Sequence, residues 1–363
     1  MMVMISISIV MLYLLVNAPA FLMRRTVVTA TDDNENIEVS VVVAVRNEEQ
    51  HVNPLIRNLM QQNYHNKEII VVNDHSTDGT ARELLKFHGT EGITILHLQE
   101  GITGKKSAIR HGEQIARGKI IVVTDADVVH PQGWLKRIVN CNAGSDQLYG
   151  GAVLCDAGKG TFIEQMQQLE FAAIVRLNAG YSNLYQPISM NAANMAYSHA
   201  LSTRLNDTDA GAFPGGDDIF KLISAAQQGV NSVFDTENPV YIAPETTWQS
   251  FVNQRKRWIS KARAYPAGFM SLITAIIGAG HILQVFFLPL MFILSGDIYY
   301  IGLWLVKYVI DVLLLSLAAF ETRPSPGFFS VLRVALVYPF LAVYIGVTAL
   351  TGSYHWKDRE YKR

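Results

Sequence analysis

Two aspartates separated by one residue, Asp125 and Asp127, follow directly on the apolar run 120–124. In an extended chain, residues two apart project to the same side, so the two carboxylates converge. Closely spaced hard oxygens suit a divalent cation, Mg2+ or Mn2+, which keeps positions open for the oxygens of a diphosphate. An acidic turn leading into a helix near Pro131 would account for the same residues without any ligand. A second acidic pair, Asp217 and Asp218, follows Phe213, Pro214, Gly215 and Gly216 and precedes the helical pattern 219–228. Glycines let a ligand approach the backbone closely, and a carboxylate beside a metal site can take a proton from an attacking hydroxyl. The plainer alternative is a charge pair favoured by the helix dipole.

Other candidates share a placement at strand ends. Asn73-Asp74-His75-Ser76-Thr77-Asp78-Gly79-Thr80 closes one apolar run and opens a helical one. Ser76, Thr77 and Asp78 are ordinary helix starters, whereas Asp74 comes before them and is free to hydrogen-bond a base or ribose. Arg46-Asn47-Glu48-Glu49 ends an earlier apolar run, which makes Glu48 a second acceptor for the same ligand. The segment 101–106, Gly-Ile-Thr-Gly-Lys-Lys, also opens a helix; its backbone N–H groups and Lys105 suit a phosphate, or it is a plain basic loop. Neither G-x-G-x-x-G nor G-x-x-x-x-G-K-[ST] occurs, so a dinucleotide oxidoreductase and a P-loop ATPase lack support.

Residues 248–265 are aromatic and basic and lie just before a long apolar region. Such a segment belongs at a membrane surface. Within it Gln254, Arg257 and Trp258 offer more: an arginine to stabilise a departing diphosphate and an indole wall for an acceptor.

These groups need a scaffold, and the sequence specifies one. Apolar runs 39–45, 68–73, 93–98 and 120–124 alternate with amphipathic stretches 51–61, 77–87 and 105–116, the rhythm of a doubly wound, mostly parallel sheet. Ligands of such sheets sit at the strand C-termini, where the candidates cluster. Outside this region the chain is strongly apolar, which raises the hydrophobic share to 50%. Residues 1–23 carry no charge and are long enough to cross a hydrocarbon core of roughly 30 Å. With Arg24 and Arg25 after the apolar run rather than before it, an uncleaved anchor is expected, with the following domain cytoplasmic. Stretches 269–294, 298–320 and 328–350 are each long enough to span, with turns at 295–297 and 323–327. Three full spans would carry the basic tail, with Lys357, Arg359, Lys362 and Arg363, to the opposite side. A re-entrant or interfacial segment would remove that conflict. Either the first stretch, with Gly278, Gly280 and Pro289, or the last, with Arg333 and Pro339, can supply it. Lys307 and Asp311, four apart, should neutralise one another; a polar contact with an acceptor is the functional alternative for them, for His281 and for Asp297. The formal net charge of -1 gives no sign of a nucleic-acid partner. Cys141 and Cys155 read as small buried thiols in a reducing compartment.

Taken together, the segments VRNEE, VVNDHSTDGT, TDAD and GGDD, in this order, resemble family 2 glycosyltransferases of the GT-A fold. QRKRW at 254–258 is similar to the QxxRW motif of cellulose, chitin and hyaluronan synthases and of ceramide glucosyltransferases. The resemblance implies an α/β fold: a GT-A, Rossmann-like catalytic domain with a mostly parallel sheet, plus an α-helical transmembrane region. It implies Asp127, with Asp125, as metal ligands for Mg2+ or Mn2+, and Asp218, beside Asp217, as catalytic base. Glu48, Asp74, Lys105 and Asp125 would bind the nucleotide-sugar donor, and Gln254, Arg257 and Trp258 the acceptor and diphosphate. Asn73 stands where the family usually has the first aspartate of a pair. The expected layout is an anchor at 1–23, a linker at 24–36 and a catalytic domain at 37–247. An interfacial helix at 248–265, a transmembrane region at 266–350 and a basic tail at 351–363 complete it. The expected reaction is inverting transfer from a nucleotide sugar, with UDP as its nucleotide, to a lipid hydroxyl at the bilayer. A processive polysaccharide synthase and an inactive nucleotide-sugar-binding scaffold are the alternatives, and no feature sets an oligomeric state.

Overall fold

A computed structural model describes the chain except residues 1, 24–35, 143–145, 159, 207–216, 262–267, 352–353, 357–358 and 362–363. Arg24, Arg25, Gly215, Gly216, Lys357, Lys362 and Arg363 therefore lie outside the described residues. The chain divides into two compact units, one holding 24–154 and 185–243, the other 1–23, 155–184 and 244–363.

The first unit is built on one eight-stranded sheet. Its strands are β1 Val39–Val45, β2 Lys67–Asn73, β3 Ile93–His97, β4 Ile120–Thr124, β5 Val128–Val129, β6 Gln147–Cys155, β7 Met195–Ser198 and β8 Asn231–Ile242. The spatial order is β3-β2-β1-β4-β7-β6-β8-β5. β3, β2, β1 and β4 run parallel; β2, β1 and β4 are near-continuous Val and Ile runs buried on both faces, and β3 is the half-buried edge. β7 then joins β4, and β6 joins β7, antiparallel. The crossovers carry helices α2 Val52–Met60, α3 Thr80–Leu85 and α4 Lys105–Ile115; α5 Trp134–Asn142 follows β5. Helices α7 His199–Asn206 and α8 Asp217–Gln227 precede β8. Close approach of α4 to the sheet needs Gly112, where a Cβ would fall 2.5 Å from Val42 Cγ1.

The second unit is helical. It contains α1 Met2–Asn17, α6 Phe162–Leu184, α9 Trp248–Lys261, α10 Phe269–Ile282, α11 Leu288–Ser295, α12 Tyr299–Ala319 and α13 Phe328–Thr351. Four helical stretches, Met2–Leu22, Phe269–Ser295, Tyr299–Ala319 and Phe328–Ala349, are long and apolar enough to cross a membrane. The second of them passes through a π-helical turn at Leu283–Phe287, immediately before Pro289. In that turn the Leu288 N–H donates to the Leu283 carbonyl, five residues back, just ahead of the proline. Lys307 and Asp311 do pair, at 2.6 Å, within α12. Both cysteines are free thiols, and burial pushes each up to about 12, which keeps them protonated and inert.

Candidate functional site

Parallel register brings the first group of candidates to one level. Val45 stands opposite Asn73 and Val43 opposite Thr124, so the chain leaves β1, β2 and β4 within two residues of a common line. Glu48, Asp74 and Asp125 follow those exits. The departures are tightly shaped. Asn47 and His75, each two residues beyond a strand, both hold φ of 51°, a left-handed conformation uncommon for residues other than glycine. Arg46 fixes the second turn, its Nη1 donating to the carbonyls of Asp74 at 2.8 Å and His75 at 3.0 Å. Asn47 Oδ1 accepts from the Thr77 N–H at 2.8 Å, and Glu49 Oε2 from the Gly79 N–H at 3.1 Å. A Cβ at 79 would fall 2.2 Å from Glu49 Oε1, so a larger residue there would displace the Glu49 carboxylate from the Gly79 N–H.

The segment expected to cradle a phosphate docks on this turn. The Gly104 N–H donates to Asp74 Oδ2 at 3.0 Å, and His75 Nε2 lies 3.0 Å from the Ile102 carbonyl. Gly104 has φ of 102°, which favours glycine. At the first residue of α4, Lys105 Nζ meets Asp125 Oδ1 at 2.5 Å, so a basic group expected to bind phosphate and an acidic group expected near the metal already touch. Glu48 is buried, its Oε2 2.9 Å from His51 Nδ1 and its N–H donating to Thr80 Oγ1 at 2.7 Å. Asp78 accepts from Thr80 at both its N–H and its hydroxyl, which holds its carboxyl below the usual range against the opposing effect of burial.

Asp125 is half-buried, Ala126 is buried and Asp127 is exposed. Beneath them stands His130, which carried no signal in the sequence beyond being a lone histidine after the turn. Asn58 Oδ1 accepts from the His130 backbone N–H at 3.1 Å while Asn58 Nδ2 donates to its carbonyl at 3.1 Å, so the amide orientation is fixed. The same Oδ1 is 3.0 Å from Nδ1, which therefore carries the ring proton. Nε2 lies 2.7 Å from Thr124 Oγ1, which is also 2.8 Å from the Ala193 carbonyl. Burial lowers the His130 pKa to about 3, outweighing the pull of Asp125 in the other direction. A neutral imidazole thus props the last strand residue before the acidic pair.

As a metal site, these residues offer a partial set. Among the described residues no three His, Cys, Asp or Glu side chains gather closely enough to hold an ion alone. Two oxygen-donor carboxylates, one of them exposed, leave most of an octahedral shell to other oxygens. That donor chemistry fits Mg2+ or Mn2+ shared with a diphosphate.

Asp218 lies in the same unit, in the first turn of α8, with its Oδ1 accepting from the Ile219 N–H at 2.8 Å. One turn on, Lys221 is buried against α4, its Nζ 3.1 Å from Glu113 Oε1 and 4.4 Å from the centre of the Tyr197 ring. Tyr197 in turn donates to Glu113.

Gln254, Arg257 and Trp258 belong to the helical unit, on α9. Gln254 Nε2 donates to Glu245 Oε1 at 3.0 Å, and Trp258 meets Phe171 edge-on with ring centres 5.6 Å apart. Arg257 is half-buried. The arginine that α9 buries is Arg255, which sequence reasoning passed over. Its Nε donates to Glu170 Oε2 at 3.0 Å, and its guanidinium lies 4.3 Å from the ring centres of Phe251 and Trp258. Phe251 and Arg255 are four apart on the inward face of α9, so helical phase was the available signal.

Known proteins place this geometry in context. Residues 40–199 match Glycosyl transferase family 2, and residues 120–347 match Glycosyl transferase family group 2. A dodecaprenyl-phosphate galacturonate synthase of Rhizobium johnstonii is 37% identical over 102 residues, 27% of this chain and 30% of that protein. A dolichyl-phosphate beta-glucosyltransferase of Drosophila melanogaster is 34% identical over 123 residues, 30% of this chain and 37% of that one. A poly-beta-1,6-N-acetyl-D-glucosamine synthase of Staphylococcus aureus is 26% identical over 38% of this chain and 33% of its own length. The chain thus matches about a third of the length of these curated relatives. In fold, it is similar to a mannosyltransferase from Pyrobaculum calidifontis solved with GDP-Man and Mn2+. The TM-score is 0.57 at 19% identity, covering 96% of this chain and 99% of that one. The mixed, mostly parallel sheet of the GT-A type is common to both, and because the broader family match takes in more than half of the residues, this chain belongs to family group 2 of the glycosyl transferases.

Proposed function

We propose that this glycosyltransferase moves a sugar from a UDP-sugar to the hydroxyl of a membrane lipid by a single inverting displacement at the anomeric carbon. The observation that supports it most is the common level at which three parallel strands deliver Glu48, Asp74 and Asp125, with Lys105 on the last. In this reading Glu48 and Asp74 hydrogen-bond the nucleoside, and Lys105 offsets phosphate charge. Asp127, with Asp125, holds Mg2+ or Mn2+, which when bound neutralises charge on the departing diphosphate. Asp218, beside Asp217, takes the proton of the incoming hydroxyl. Gln254, Arg257 and Trp258, read as a QxxRW motif like that of ceramide glucosyltransferases, serve the acceptor and the leaving diphosphate. The layout proposed from the sequence goes with it: an anchor at 1–23, a cytoplasmic catalytic domain at 37–247, an interfacial helix at 248–265 and a multi-pass region at 266–350.

The two lipid-phosphate enzymes among the relatives favour an acceptor of the membrane, and the polysaccharide synthase favours processive action. A growing polymer needs helices enough to enclose it, and among the described residues four helical stretches are apolar enough to span. The deciding measurement is UDP release by the purified protein with a panel of UDP-sugars, with and without lipid extract, followed by sizing of the product. One sugar on a lipid supports the reading, and a ladder of polymer supports the processive alternative. Absence of UDP release with every donor would overturn both.

A further inference from the structure

The helical unit contains a cavity of about 200 Å³. Its walls are largely aliphatic, with Ile174 and Leu177 from α6 and Leu314 and Leu315 from α12. Ile174 is also exposed at the surface, so the cavity reaches the outside there. Six polar side chains line it from five helices: Tyr13 and Asn17 of α1, Glu170, His281, Asp311 and Tyr338, with Asn17 Nδ2 donating to the Tyr13 carbonyl at 2.8 Å.

Their hydrogen bonds determine what the cavity can recognise. The Tyr13 hydroxyl donates to Asp311 Oδ1 at 2.7 Å, and the Tyr338 hydroxyl donates to Glu170 Oε1 at 2.7 Å. Each carboxylate has its own cation, Lys307 on Asp311 at 2.6 Å and Arg255 on Glu170. Lys307 also donates to His281 Nδ1 at 3.0 Å, so the ring proton of a neutral imidazole sits on Nε2. The phenols have committed their protons, and what the lining offers is the lone pairs of carboxylate and phenol oxygens beside the neutral N–H groups of His281 and Asn17. No lysine or arginine stands among the lining residues described. An anionic head group would meet two carboxylates and find no uncommitted cation, a like-charge juxtaposition that is strongly unfavourable out of water. An alcohol O–H finds acceptors. A cavity of about 150 Å³ holds benzene, so one of this size takes a hydroxyl and several carbons behind it.

We propose that this cavity binds the hydroxyl end of a neutral amphiphile, an alcohol rather than a lipid phosphate. The inference rests on the transferase reading only in taking that alcohol as the acceptor. It also parts this chain from the lipid-phosphate chemistry in the names of two of its relatives.

The test uses the full chain in nanodiscs without nucleotide, photolabelled by dodecanol or by dodecyl phosphate, each carrying an alkyl diazirine, with labelled residues mapped by mass spectrometry. The alcohol is expected to label α6 and α12 around Ile174 and Leu314, and the phosphate to label them about tenfold less. Ile174→Trp, a change at the exposed rim, should lower alcohol labelling by about tenfold. Equal labelling by the two probes, or labelling elsewhere only, would overturn the proposal on the wild-type chain alone, whatever the variant does. Indifference of the alcohol label to a folded Ile174→Trp would overturn it too. Because no sugar is transferred in this assay, failure of UDP release leaves the cavity result standing, and failure of labelling leaves the transfer reading standing.

Discussion

Asp127 and Asp218 have separate duties in the proposed displacement, and substitution should separate them. Asp218→Asn is expected to lower turnover by about 10²–10⁴-fold while nucleotide binding persists, the range a lost general base accounts for. Asp127→Asn should weaken divalent-dependent donor binding as well. Calorimetric titration with UDP alongside initial rates distinguishes them, and a wild-type rate for Asp218→Asn would remove that residue from the role of base. His130 makes a different prediction. Its folded pKa of about 3 lies below its ordinary 6.5, so the unfolded chain binds the extra proton between those values. The contribution is fully present above pH 6.5 and is lost as pH falls toward 3. His130→Gln should therefore flatten the acid limb of the stability curve measured by denaturant unfolding, and an unchanged limb would contradict it. The acidic pair was legible as a candidate from residue type and spacing alone. His130 and Arg46 were not, because their roles arise from partners at Asn58, Asp74 and His75 that only the folded register supplies.

Among elements, the parallel strands could be read closely: 39–45 and 120–124 match β1 and β4, since runs of β-branched residues buried on both faces leave little choice. The helix expected over 77–87 starts later, at Thr80, because Asp78 accepts from the Thr80 N–H and Ser76 and Thr77 are engaged with Asn73 and Asn47. β7 and β8 gave no such signal; four residues are too few for a period, and β8 carries Asp235, Thr236, Glu237 and Asn238 in its middle. Asp235 is buried there on Arg137, at 2.6 Å, a partner no local pattern announces. In α12 the buried pair makes a testable element. Lys307→Met leaves Asp311 unpaired and should destabilise the helical unit by about 3–5 kcal/mol, whereas Lys307→Met with Asp311→Leu should recover most of that. Thermal unfolding in detergent reads the difference; equal loss in the single and double variants would mean the pair is not what the helix depends on.

At the scale of the molecule, a chelator test follows from the partial metal set. With two aspartates to offer among the described residues, the protein alone should bind Mg2+ or Mn2+ weakly, and affinity should appear only with the diphosphate present. EDTA is expected to abolish UDP binding and added Mn2+ to restore it; chelator-resistant binding would contradict the assigned ligands. The Lys221–Glu113–Tyr197 cluster has a consequence of its own. It bolts the helix that begins with Asp217 and Asp218 to the helix that begins with Lys105. Any rolling or sliding of one is passed to the other, so Asp218, the proposed proton acceptor, and Lys105, the proposed phosphate contact, answer to a single lever.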